Sequence, residues 1–184
     1  MNVKGYPFIA ITKQLIYEFD KEHWNDFFQS FKESHSYFNR GILPTTMIPV
    51  EEFIAFLDAM LKEFYNGDEK VFWRYGEAAA EASLSEKGPF HIYIKRKREP
   101  KDFVDNILAR IWSNYYDEGR VKFVLEGNII HAYILDLPIY HAYFEYTTMS
   151  FNKKVSELFG IPVKETIKVK SSAKETHYKL ILDL

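Results

Sequence analysis

The chain reads as an α+β fold, a helical N-terminal half packed on a small antiparallel sheet arranged as β-hairpin, helix, β-hairpin. Three observations predict it. Apolar residues recur at 3–4 spacing from Phe8 to about Tyr115. The period then switches to strict alternation at Val121, Phe123 and Leu125. Two turn signals, Gly127-Asn128 and the polar run KSSAKE, divide the last third into paired strands around one long helix.

Phe8, Ile11, Leu15, Ile16 and Phe19 share one helix face, and Trp24, Phe27, Phe28 and Phe31 share the next, with Asp20 as the N-cap between them. Ser34 to Thr46 reads as a loop punctuated by Gly41 and Pro44. Pro49 sits where a first-turn proline is tolerated, Glu51 and Glu52 suit the first turn, and Asn66-Gly67 ends that helix. Asp68 caps a further helix through Val71, Phe72, Tyr75 and Leu84. Its small face, Gly76, Ala79 and Ala80, lets another backbone approach closely or leaves space open. After Gly88-Pro89 come a short apolar piece, Phe90 to Ile94, and the basic run Lys95 to Arg98. Pro100 opens a helix carrying Phe103, Ile107, Leu108, Ile111, Trp112 and Tyr115, ended by Gly119. Ile130, Ala132, Ile134 and Leu137 complete the first hairpin. A helix spans about Tyr140 to Phe159, and strands around Val163–Val169 and His177–Leu182 close the chain.

Composition narrows the function classes. The 184 residues are expected to form a single domain, 1–184, and a 17% aromatic content supplies a sizeable core. Subtracting 26 acidic from 24 basic residues leaves −2, which argues against a nucleic-acid binder. Zero Cys excludes disulfides, thiolate metal sites and thiol nucleophiles. No stretch suits a signal core or a membrane span, so a cytoplasmic, soluble protein is expected.

Five stretches carry a family resemblance: VKGYPF, ILPTTMIPVEEF, FWRYGEAAAEA, PKDFVDNILARIWSNYYDEGRVKF and the closing LFGIPVKE. With them the chain resembles the superfamily of heme-nitric-oxide/oxygen-binding domains, 4-vinyl reductase domains and Golgi transport-particle subunits, and is most similar to an uncharacterised bacterial branch. The resemblance implies a fold enclosing a hydrophobic cavity between helices and sheet. It also implies functional positions that this sequence fills differently. A heme-binding member carries an axial His on the helix matching Phe103–Tyr116, where this chain has Trp112 and no His. The Tyr-x-Ser-x-Arg signature of those members is absent, and so are the Cys motifs of the other branches. No cofactor is therefore expected, heme included.

The residues that could line a cavity are Phe72, Tyr75, Ala79, Leu108, Trp112, Tyr115 and Tyr143. Dense core packing is the competing reading of the same side chains. The six His match no zinc spacing, so no metal is expected; His131 and His141 would converge only if the turn at Pro138 folded back, and His141 and Glu145 could share a helix face. Lys95 to Arg98 reads as a solvated loop. No nucleophile elbow or phosphate loop is present, so a non-catalytic protein is expected. Two functions stand as expectations. The first is a ligand-binding or sensory module for an apolar small molecule, signalling through a separate protein. The second is a scaffold, a homodimer through the Trp24, Phe27, Phe28 and Phe31 face.

Overall fold

The computed structural model describes every residue except 87, 89–90, 92–100, 102–103, 109–111 and 184. The apolar piece at 90–94 (His91 apart), the basic run at 95–98, Pro100, Phe103 and Ile111 lie outside the described residues. The chain divides into two compact units: Met1–Val71 with Asn114–Asp117, and Phe72–Ser113 with Glu118–Leu184.

The first unit opens with β1 (Asn2–Lys4), followed by α1 (Gly5–Phe19) and α2 (Lys21–Ser34). A 3₁₀ turn at Ser36–Asn39, β2 (Met47–Pro49) and α3 (Val50–Tyr65) come next. Asp20 caps α2 as expected, accepting a hydrogen bond from the His23 N–H at 2.9 Å. Asn66 ends α3 in the left-handed region at φ 51°, so that its N–H reaches the Leu61 carbonyl. The short pair β1–β2 was not apparent in the sequence. It is antiparallel, with the fully buried Val3 and Ile48 opposite each other. Three residues are too few for alternation to register. Residues 114–117 are tied to β1: Asn2 donates from its backbone and its side chain to the Asp117 carboxylate at 2.6 and 2.7 Å.

Aromatic packing holds this unit together. The Phe8 ring lies 4.7 Å from Phe56 and 5.4 Å from Phe38, and Trp24 stacks on Phe28 at 4.8 Å. Phe27 meets Phe64 at 5.1 Å, and Trp24 and Phe31 are buried. Each buried ring contributes about 1.5–3 kcal/mol relative to exposure. Of the α2 face expected to form a dimer, Trp24 and Phe31 are thus packed inside the unit, while Phe27 and Phe28 are half-buried.

The second unit contains the body of α4 (Val71–Leu84), a π-helical turn at Val104–Leu108 and the start of a 3₁₀ turn at Trp112–Asn114. It continues with β3 (Arg120–Glu126), β4 (Ile129–Leu135), α5 (Ala142–Leu158), β5 (Val163–Lys170) and β6 (Glu175–Leu182). The described part of the helix expected from Pro100 to Gly119 is therefore not a regular α-helix. The four strands form one antiparallel sheet in the order β3-β4-β6-β5. Their register aligns Phe123, Ala132, Tyr178 and Lys168 in one row, and Leu125, Ile130, Leu180 and Thr166 in the next. Ile130, Ala132, Tyr178 and Leu180 are buried, which identifies the inner face. No helix among the described residues is long and apolar enough to cross a membrane.

Candidate functional site

The site is built on α4 and α5, both within the second unit. Gly76 explains their close approach. A Cβ there would fall inside the Ser150 hydroxyl and within 2.5 Å of the Thr147 carbonyl. The small face of α4 thus admits the α5 backbone at Gly76. Lys154 bonds Glu81 at 2.8 Å beside that contact, and Lys153 approaches Glu77 at 3.9 Å.

The buried stretch of α5 is rich in polar residues that donate to carbonyls one turn back. Ser150, Asn152 and Ser156 donate to the carbonyls of Tyr146, Thr148 and Asn152 at 2.7–2.9 Å. Side chains that bond back one turn can enter a core without an outside partner.

The expected lining residues take up distinct places. Phe72 is fully buried and meets Tyr143 edge-on, with ring centroids 5.4 Å apart, and His141 at 5.7 Å. Tyr75, Leu108, Trp112 and Tyr143 are buried, while Ala79 is half-buried. The Trp112 indole donates to the Glu118 carbonyl at 3.0 Å. Tyr115 falls in the first unit, where it faces Tyr6 at 6.0 Å. His131 converges on His177 across the sheet, not on His141. His141 caps α5 through Nδ1, which accepts from the Tyr143 N–H at 3.1 Å.

A second cluster links α5 to the last hairpin. Glu145 is 1% exposed, yet four donors reach it. Oε1 accepts from the Tyr178 hydroxyl and the Lys168 ammonium, each at 2.5 Å. Oε2 accepts from the Tyr140 hydroxyl at 2.8 Å and from Ser171. Burial pushes the Glu145 carboxyl up, but the bonds from Lys168, Ser171, Tyr178 and Tyr140 outweigh it and hold the group below the usual glutamate range. Burial and the Glu145 charge push the Tyr178 hydroxyl far up. For Lys168, burial acts downward, and the bond to Glu145 overrides it and raises the ammonium. This cluster was missed in the sequence, where Glu145 was considered only beside His141.

No family model matches the chain, and no curated protein matches it. Its structural likenesses are H-NOX proteins. One from S. oneidensis, a mutant in the Fe(II) ligation state, has a TM-score of 0.72 at 12% identity, over 98% of this chain and 96% of the other. The S. oneidensis protein in its Fe(II)NO state has 0.70 at 12%, over 98% and 99%. A K. algicida mutant, Fe(II) unliganded, has 0.69 at 13%, over 98% and 97%. A further H-NOX structure, described as probing heme distortion in that family, has 0.69 at 11%, over 98% and 95%. The chain thus has the H-NOX fold.

These likenesses correct the expectation that no cofactor is involved. The expectation set Trp112 at the axial position of a regular helix, but Trp112 lies in a 3₁₀ turn and its indole is bonded to the Glu118 carbonyl at 3.0 Å. Two histidines of the second unit bear on whether iron could be held. His141 accepts at Nδ1, so its neutral form carries the proton on Nε2, the wrong tautomer for ligation through that nitrogen. His91 has Nδ1 facing the Leu84 carbonyl at 3.4 Å, the orienting contact of a metal-bound imidazole.

Proposed function

We propose that the chain is a non-catalytic, ligand-binding sensory module whose response passes to a separate protein. The observation that supports it is the H-NOX fold over 98% of the chain, shared with proteins solved in Fe(II) and Fe(II)NO states. The ligand side is the α4–α5 region, with Phe72, Tyr75 and Tyr143 as apolar and hydroxyl-bearing contacts and the half-buried Ala79 beside them. His91 would hold a heme iron, which when bound supplies a coordination position for a small gaseous ligand. The link from Glu145 to β5 and β6 gives any displacement of α5 a route into the sheet.

Titration with hemin under reducing conditions tests the reading. A saturable visible absorption band at one equivalent that responds to nitric oxide is the expected result, and His91→Ala should abolish or shift the band. Ala79→Trp should weaken binding of the ligand while the far-UV circular dichroism stays unchanged. Absence of both a saturable band and any co-purifying ligand overturns the reading.

A further inference from the structure

The face of the β3-β4-β6-β5 sheet opposite to α5 carries a histidine pair that the sensory reading does not use. His131 on β4 lies opposite Lys179, and Tyr133 lies opposite His177 on β6, so the two histidines are diagonal neighbours on one face. His131 Nδ1 and His177 Nε2 stand 3.0 Å apart. Tyr133 stacks on His177 at 4.3 Å with the planes 12° apart, and the two imidazoles are tilted by only 23°. Both rings are thereby held in place. Glu126 approaches the other nitrogen of His131, Nε2, at 3.5 Å.

We propose that His131 Nδ1 and His177 Nε2 together chelate a borderline divalent transition metal, copper(II) in preference to zinc(II), on this sheet face. Two nitrogens bound cis to one square-planar copper(II) at about 2.0–2.1 Å are about 2.9 Å apart. The observed 3.0 Å matches that spacing, and both rings turn so that their lone pairs converge on the metal. In the metal-free pair a single proton lies between the facing nitrogens. On binding, His131 keeps its proton on Nε2 with Glu126 as acceptor, the second-shell arrangement of ligating imidazoles. His177 moves its proton to Nδ1, and both facing lone pairs turn to the metal. No group of three or more ligating side chains occurs among the described residues, so water completes the coordination. Imidazole donors favour copper over zinc in the Irving–Williams order, and calcium and magnesium select oxygen ligands instead.

The experiment is calorimetric titration of the EDTA-dialysed full chain with copper(II), zinc(II) and magnesium chlorides. One saturable equivalent is expected for copper, weaker binding for zinc and none for magnesium. His131→Gln and His177→Gln should each weaken copper binding at least tenfold, and Glu126→Gln by up to about tenfold. His23→Gln should leave it unchanged. Both ligand positions face outward, and thermal melts should report folded variants. Stoichiometric binding that survives in the double variant, or no saturable copper binding by the folded parent, overturns the proposal. Neither result bears on hemin binding, so the two proposals fail separately.

Discussion

Glu145 is a buried carboxylate reached by four side-chain donors. Its carboxylate accepts from Tyr178 and Lys168 on one oxygen and from Tyr140 and Ser171 on the other. Truncation leaves the Tyr178 hydroxyl, on a side chain only 4% exposed, without that acceptor. A stranded buried hydroxyl costs about 1–3 kcal/mol, and loss of the charge partner adds to it. Glu145→Ala should therefore lower the unfolding free energy by about 3 kcal/mol in urea titration. The Lys168 side chain is 41% exposed, so solvent screens its share, and Lys168→Ala should cost about 1 kcal/mol or less. The pH dependence has a definite sign. The folded-state carboxyl lies below the ordinary glutamate range, so its contribution is full above that range and is lost as pH falls through the lower folded value. Tyr178 is shifted upward, so its contribution is present below the ordinary tyrosine pKa and is lost as pH rises beyond it. Urea midpoints measured across pH should decline on both flanks in the parent, and Glu145→Gln should flatten the acid flank. An unchanged acid flank in that variant would rule out Glu145 as its source. None of this cluster was legible by local pattern: Tyr178 is 33 residues and Ser171 26 residues from Glu145, and only the sheet register joins them.

Among the elements, the α4–α5 contact makes the clearest prediction. Alanine is the better helix former by about 1 kcal/mol, so on propensity alone Gly76→Ala should stabilise the chain. The added Cβ would meet Ser150 and the Thr147 backbone, which cannot yield without moving α5. Overpacking of this kind costs about 1–3 kcal/mol and exceeds the propensity gain. Gly76→Ala should therefore lower the thermal midpoint, and Ala79→Leu, at a half-buried position, should lower it less. A rise for Gly76→Ala would mean the helices are not in contact there. The helix-and-hairpin layout was legible because each long element repeats its period several times: Phe53, Phe56, Leu57, Met60, Leu61 and Phe64 for α3, and the alternating burial of β4 and β6. Two features escaped. The three-residue strands β1 and β2 are too short to show alternation. At the π turn Val104–Leu108, the buried Val104 and Leu108 keep the four-residue spacing of an α-helix, so 3–4 spacing reads straight through it.

For the whole molecule, the H-NOX fold and the chemistry of a site are separate levels of inference. A fold is retained when core periodicity is retained, which 11–13% identity allows, whereas a site depends on a few atoms. That is why the layout resemblance predicted the architecture, while the missing motif residues misled about the cofactor. Motif positions assume one ligand-bearing element, and the proposed role of His91 sets the ligand on another. Mass measurement reads the whole molecule without choosing among registers. Native spectra of the purified chain, set against denaturing spectra of the same sample, should show an added mass that leaves on unfolding if the sensory reading holds. A mass equal to heme would place iron in the protein as isolated; a different small mass would define the ligand class directly. On the helix face proposed for a scaffold, Trp24 and Phe31 are buried in the first unit and Phe27 and Phe28 are half-buried against Phe64 and Trp24, so the native charge-state series should be that of a monomer. A discrete dimer carrying no added mass would reverse both expectations. It would require an interface that leaves Trp24 and Phe31 in place, since exposing those two would dismantle the aromatic packing on which the first unit depends.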